Sequence, residues 1–244
     1  MIEIKNLYLS FTKEYYALKN INLDVADGEK VALIGETDSG KTMLLRVLAK
    51  LEKYKSGEIY IKNINIKKIN FKQDIQVGFV PSRFVFLENK TLKENFEHIL
   101  KIRNFDPAAI NLKVLTALKN FDIESCQNLK IKNLSPFQKI MAELARVSLR
   151  KVELFLIDDV CSLITETERE KVLAKLKEMM TDYPESTFVF AFSDEELANA
   201  LNLKKIMLKD GEIVSNEDYK KDAEWASFLN FENSQCFVNT IFVC

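Results

Sequence analysis

Gly35, Glu36, Thr37, Asp38, Ser39, Gly40, Lys41 and Thr42 follow the spacing G-x-x-x-x-G-K-[ST]. Phosphate binding explains why those residue types stand at those intervals. Successive backbone N–H groups running into a helix N-terminus form a concave anion site, a lysine reaches the outer phosphates, and a hydroxyl ligates Mg²⁺. The pattern therefore implies a nucleotide binder, with residues 35–42 around the phosphates and Thr42 on the metal. A second pair of candidates, Asp158 and Asp159, closes the apolar run Leu154-Phe155-Leu156-Ile157. In an open α/β sheet a strand of this kind delivers its carboxylates at its C-terminal end, beside a phosphate loop.

Such groups meet only if the surrounding elements bring them together. Lys30 to Ile34 reads as a buried strand entering the loop, and Met43 to Leu48 continues as a helix with apolar spacing. Ile2 to Ile4 and Ile21 to Val25 read as strands, with residues 26–29 as the turn into Lys30, so the chain opens with a small β-rich lobe. Gly57 to Ile61 and Val77 to Val80 are further strands, and Leu92 to Leu100 and Leu112 to Phe121 have helical spacing. A helical insert spans about 83 to 133, or about 83–150 with the next helix. That helix has Ser135 as N-cap and Pro136 at its first position. Glu168 to Met180 reads as a charged amphipathic helix, Thr187 to Phe192 as a buried strand, and Ile206 to Val214 as a hairpin. The expected fold class is α/β: a P-loop NTPase core with a mixed or parallel sheet, an N-terminal β-rich lobe and an inserted α-helical subdomain.

Bulk properties narrow the partners. The 244 residues, 47% hydrophobic, suffice for one large α/β domain over residues 1–244 with an inserted lobe. With 35 Lys+Arg against 36 Asp+Glu, the totals argue against a nucleic-acid partner. No apolar run approaches a membrane span and the N-terminus lacks signal-peptide layout, so a cytoplasmic location is expected. Cys126, Cys161, Cys236 and Cys244 show no CxxC pairing and read as reduced thiols. The tail, about 215–244, with Tyr219, Trp225, Phe228 and the apolar residues 238–244, is uninformative about function; its apolar end reads as a packed strand or a partner contact, with packing preferred.

The order of these elements, with Ala17-Leu18-Lys19-Asn20-Ile21-Asn22-Leu23, Asp27-Gly28-Glu29 and Lys209-Asp210-Gly211-Glu212-Ile213-Val214, resembles the nucleotide-binding subunit of ATP-binding-cassette (ABC) transporters. The resemblance covers nearly the whole chain to Val214. It implies ATP and Mg²⁺ as ligands, Phe11 stacked on adenine, Asp158 holding the metal through water beside Thr42, and Asp159 and Ser193 at the catalytic positions. It implies Ser82 at the position that senses Mg²⁺, and Ser135 and Gln138 in the signature that meets a partner's nucleotide. It further implies a homo- or heterodimer of nucleotide-binding subunits docked on an integral membrane permease, peripheral on the cytoplasmic face.

Several of these positions depart from the family's usual residues. Asp159 replaces a glutamate, retracting the carboxylate by one methylene, and a misplacement of roughly 1 Å can cost about a hundredfold in rate. Ser82 stands for glutamine and Ser193 for histidine; a serine has neither the reach nor the titration near neutrality. The signature Leu-Ser-Gly-Gly-Gln reads Leu134-Ser135-Pro136-Phe137-Gln138, losing an N–H and gaining a ring, and Thr165 replaces a linking aspartate. Asp38 replaces a loop glycine and brings a carboxylate toward the phosphates. The expectation is a subunit that binds Mg·ATP and hydrolyses it weakly or not at all. An ordinary hydrolysing transport subunit, and a non-hydrolytic regulatory or structural module on a membrane complex, remain alternatives.

Overall fold

The computed structural model describes residues 1–12, 16–71 and 73–219. Its strands and helices are, in chain order, β1 (Ile2–Ser10), β2 (Tyr16–Val25), β3 (Lys30–Ile34), α1 (Lys41–Leu48), β4 (Ser56–Ile61), β5 (Ile64–Asn65) and β6 (Val77–Val80). There follow α2 (Leu92–Ile102), α3 (Pro107–Asn120), α4 (Pro136–Ser148), β7 (Leu154–Asp158), α5 (Glu166–Asp182), β8 (Thr187–Phe192), α6 (Glu195–Ala200), β9 (Lys204–Lys209) and β10 (Glu212–Val214). Two short 3₁₀ turns, Glu124–Cys126 and Ile131–Asn133, lie between α3 and α4.

Two sheets form. An antiparallel sheet runs β2-β1-β4-β5, and a six-stranded sheet runs β10-β9-β3-β8-β7-β6. In the larger sheet only the β9–β10 hairpin is antiparallel. The strand expected at residues 30–34 does not stay with the N-terminal lobe: it crosses from the small sheet to the centre of the large one. The reason is in its sides, both of which are apolar and buried, as a central parallel strand requires. Because β3, β6, β7 and β8 are parallel, their C-terminal ends lie on one edge. That edge gathers residues 35–42, Ser82, Asp158, Asp159 and Ser193.

Alternation along these strands feeds two cores. Val31, Leu33, Leu154, Leu156, Val189 and Ala191 face α1 and the small sheet. Ala32, Ile34, Phe155, Ile157, Phe188, Phe190 and Phe192 face the helical layer. On that side Phe155 stacks on Phe188 with ring centroids 4.4 Å apart, and Phe188, Phe190 and Phe192 continue the stack. Burying an aromatic ladder on one sheet face fixes strand register as well as area.

Several limits differ from those expected. β1 runs six residues past Ile4, through register shifts between Ile4 and Leu7 and between Leu7 and Leu9. Those bulges break the period-two pattern. α3 begins at Pro107, capped by the Asp106 carboxylate, and α5 begins at Glu166, where Thr165 and Glu168 form a capping box. β5 and α6 carry too few residues for a periodic signal. Of the tail, residues 215–219 are described: the Ser215 hydroxyl caps Asp218, and Tyr219 packs on the helical-side core. Trp225, Phe228, Cys236, Cys244 and residues 238–244 lie outside the described residues.

Candidate functional site

The loop after β3 is held from several sides. Gly40 precedes α1 at φ 103°, and a Cβ there would stand 2.6 Å from the Ala17 carbonyl oxygen. At Gly35 a Cβ would meet the Leu208 carbonyl oxygen at 2.1 Å, so only glycine admits the hairpin so near. The Gly211 N–H donates to the Ser39 carbonyl at 3.1 Å. Asp38 occupies the left-handed region at φ 66° with its side chain exposed, a conformation Asp tolerates better than most residues.

Lys41 is buried, and its ammonium donates all three of its hydrogens within the loop: to the Gly35 carbonyl (2.6 Å), the Glu36 carbonyl (2.7 Å) and the Ser39 hydroxyl (3.1 Å). Burial lowers its pKa, against the upward pull of Asp159, Asp158, Asp38 and Glu36. The Thr42 hydroxyl donates to Asp158 Oδ1 at 2.9 Å across 116 residues of sequence. Asp158 is 1% exposed, and its second oxygen, Oδ2, is buried without a hydrogen-bond partner. A buried carboxylate oxygen in that condition is costly unless something meets it.

Asp159 follows in a left-handed conformation at φ 40°, its N–H donating to the Ala191 carbonyl at 3.0 Å. Burial, then the neighbouring Asp158 charge, raise its carboxyl pKa; Lys41 and Arg169 oppose. Asp159 shares a crevice with Ser82, Phe84, Glu143 and Val160. Ser193 sits just past β8, exposed at the same sheet edge.

Other candidates are not brought into this cluster. Phe11 lies at the end of β1, 57% exposed. Ser135 and Gln138 are engaged with one another: the Ser135 hydroxyl accepts from the Gln138 N–H (3.2 Å) and the Gln138 carboxamide oxygen accepts from the Ser135 N–H (2.9 Å). Their helix packs on β6, α3 and α5. The Phe137 ring, which the signature gains over the family's pattern, packs partly against the core.

Sequence reasoning missed Glu143. It is fully buried on α4, accepts from the Val85 N–H at 2.9 Å, and is paired with Arg146 Nε at 2.6 Å. Arg146 in turn donates to the Phe79 carbonyl at 2.6 Å, and the Lys139 ammonium lies 5.8 Å from the Phe84 ring centroid. From α2, the Asn95 carboxamide accepts from the Leu87 N–H at 2.8 Å. The segment carrying Ser82 is thus tied to α4 and α2. A charged residue among Ile140, Met141, Leu144 and Val147 was the available signal. Cys126 and Cys161 are free and buried, and burial pushes the Cys161 thiol up to about 12, which makes it unreactive.

These residues fit a nucleotide with its metal. The first-turn N–H groups of α1 have no intrahelical acceptor, Lys41 sits among them, and Thr42 and Asp158 offer one hydroxyl and one unsatisfied oxygen. Among the described residues no group of three or more His, Cys, Asp or Glu gathers as a metal site. Mg²⁺ suits such a sparse set, since it keeps waters and takes nucleotide oxygens beside one or two protein ligands. Among the described residues no helix is long and apolar enough to cross a membrane.

A family model described as ABC transporter matches residues 18–162, more than half of the chain. The sn-glycerol-3-phosphate import ATP-binding protein UgpC of Bartonella bacilliformis is 28% identical over 87% of this chain and 61% of its own length. The sulfate/thiosulfate import ATP-binding protein CysA of a Synechocystis species is 30% identical over 82% of this chain and 56% of its own. The match thus spans somewhat more than half the length of these curated relatives. The dimeric ATP-binding cassette MJ0796 bound to ADP and Pi superimposes with a TM-score of 0.78 at 28% identity, covering 88% of this chain and 97% of that one. A second dimeric structure of MJ0796 gives 0.77.

Proposed function

The chain belongs to the ABC transporter family, and from that premise we propose that it is the ATP-binding subunit of a membrane transport complex that holds Mg·ATP and hydrolyses it weakly or not at all. The observation that carries this reading is the Thr42–Asp158 hydrogen bond beside a buried, unpartnered Asp158 Oδ2 and a buried Lys41. In the proposal Lys41 turns from the loop carbonyls to the outer phosphates, whose oxygens replace those acceptors in kind. The N–H groups of residues 36–42 other than Ser39, whose N–H donates to the Glu36 carbonyl at 3.2 Å, donate to the remaining phosphate oxygens, and Phe11 offers a face for the base. Thr42 and Asp158 would hold Mg²⁺, which would supply positive charge against the nucleotide's phosphates.

Weak hydrolysis follows from what the remaining residues can do with a water. Asp159 would have to draw its proton with a carboxylate one methylene short, and Ser193 and Ser82 lack the reach to orient it. Pro136 offers no N–H to a phosphate across a dimer. That last feature also favours a second reading, in which the subunit regulates or braces a membrane complex without turnover. That two relatives are import ATP-binding proteins supports a role in import, and the dimeric MJ0796 structures support pairing of two nucleotide-binding subunits; an integral membrane permease as partner belongs to the same proposal. A peripheral position on the cytoplasmic face belongs to the same proposal.

The test is ATP binding and phosphate release by the purified protein, alone and with its membrane partner, beside Lys41→Ala and the double variant Asp159→Glu/Ser193→His. We expect binding in the unmodified protein, at least tenfold weaker binding in Lys41→Ala, and turnover raised by the double variant. Turnover matching that of ordinary family members would overturn the weak-hydrolysis reading, and failure to bind ATP would overturn the whole.

A further inference from the structure

We propose that the crevice at the opposite, N-terminal ends of β6 and β7 is a second anion site, built to take a phosphate group. The crevice has a volume of about 450 Å³ and its walls include Gln76, Arg103, Asn104, Phe105, Arg150 and Lys151. It lies where β6 begins at Val77, away from the sheet edge that carries Asp158.

Charge is what distinguishes it. Arg103, Arg150 and Lys151 line it, Arg146 stands behind it, and among the described residues no carboxylate lines it. The neighbouring acids are already engaged: Glu143 with Arg146 and the Val85 N–H, and Glu153 with Lys62 and the Gln76 N–H. Lys151 feels Glu153 only at a distance. Arg103 has no ion pair among the described residues. Arg150 is held in place by neutral acceptors, donating to the Gln76 carboxamide oxygen at 2.6 Å and to the Val77 carbonyl. These bonds orient its guanidinium and cancel none of its charge.

The cations consequently work against each other. Burial first, then Arg103 and Arg146, bring the Arg150 guanidinium down to about 10, and burial with Arg146 lowers Arg103 in the same direction. A phosphate oxyanion would relieve that repulsion. The Arg103 fork, the remaining N–H groups of Arg150 and an ammonium suit a tetrahedral group with several acceptor oxygens, and the Asn104 carboxamide adds a neutral donor. A phosphate is such a group, and it can arrive free in solution or as the headgroup of a membrane lipid.

The two sources can be separated on the full chain. Inorganic phosphate is titrated at constant ionic strength while backbone amide shifts are followed by NMR, in the unmodified protein, in Lys41→Ala, in Arg103→Glu and in Arg150→Lys. Co-sedimentation with phosphatidylglycerol vesicles is compared with phosphatidylcholine vesicles. The site predicts saturable shifts at residues 103–105 and 150–151 that persist in Lys41→Ala, weaken at least tenfold in Arg103→Glu, and weaken severalfold in Arg150→Lys. Phosphate saturation without vesicle binding identifies a free phosphate ligand; Arg103-dependent binding to phosphatidylglycerol vesicles alone identifies a lipid headgroup. No saturable response in either arm, or a response unchanged by Arg103→Glu, overturns the site. Loss of ATP binding with these shifts intact would overturn the nucleotide proposal and leave this one standing.

Discussion

The two oxygens of Asp158 have different surroundings, and the difference can be tested by removing one hydroxyl. Oδ1 accepts from Thr42 while Oδ2 has no partner. Thr42→Val keeps the shape of the side chain and leaves both oxygens buried without a donor, so it should destabilise the nucleotide-free protein by about 1 to 3 kcal/mol. It should also remove any tightening of nucleotide binding by Mg²⁺. Chemical denaturation and ATP titration with and without the metal check both parts. Glu143 allows a sharper test, because burial raises its carboxyl above the usual value of 4.5 despite Arg146 and the Val85 N–H. The folded protein therefore holds that proton more tightly than the unfolded chain. The stability this contributes is complete at pH values below the ordinary carboxyl range and is lost as pH rises through the raised value. Glu143→Gln has no such proton to lose. The stability of the unmodified protein relative to Glu143→Gln should therefore fall as pH rises above 4.5, read from melting temperatures at each pH; a difference that grows with pH would contradict the assignment.

Among the elements, α4 shows how a departure from a family pattern becomes structural. Ser135, Pro136 and Gln138 make a well-capped start, and Phe137 contributes partial burial against the core. Restoring the family's residues with Pro136→Gly/Phe137→Gly removes that contact and adds two glycines to a helix N-terminus, for a loss of about 2 to 3 kcal/mol. The same change returns an N–H to the segment, so ATP-dependent dimerisation should strengthen while the denaturation midpoint falls. If both fall together, α4 has no role toward a partner's nucleotide. This helix was legible in the sequence because its cap, its proline and its apolar spacing are all local. So were the phosphate loop and the strand before Asp158. The tie from Glu143 to Val85 was not, since its meaning depends on a partner 58 residues away. Nor was the crossing of β3 between sheets, because an apolar strand does not say which neighbours it will take. The length of β1 was hidden by bulges that a period of two cannot follow.

For the molecule as a whole, the question is whether ATP that is bound stays bound. The candidate loop joins the two cores: β3 feeds it from the centre of the large sheet, and α1 leaves it to pack on the other face. A ligand bound there should therefore stabilise both faces at once rather than one lobe. At a nucleotide concentration about a hundredfold above Kd the gain is about 2.7 kcal/mol. For a chain of this size each kcal/mol raises Tm by roughly 2 to 4 °C, so a single cooperative transition should move up by about 5 to 10 °C. A subunit that holds Mg·ATP without splitting it keeps that shift undiminished over hours of incubation before the melt, and Lys41→Ala, binding at least tenfold more weakly, shows at most about half of it at the same concentration. A subunit that turns over converts its ligand to ADP, and the shift drifts to the ADP value with a rate set by hydrolysis. Asp159→Glu/Ser193→His should introduce that drift. The time course of one melting temperature thus separates storage from turnover without any assumption about what is transported.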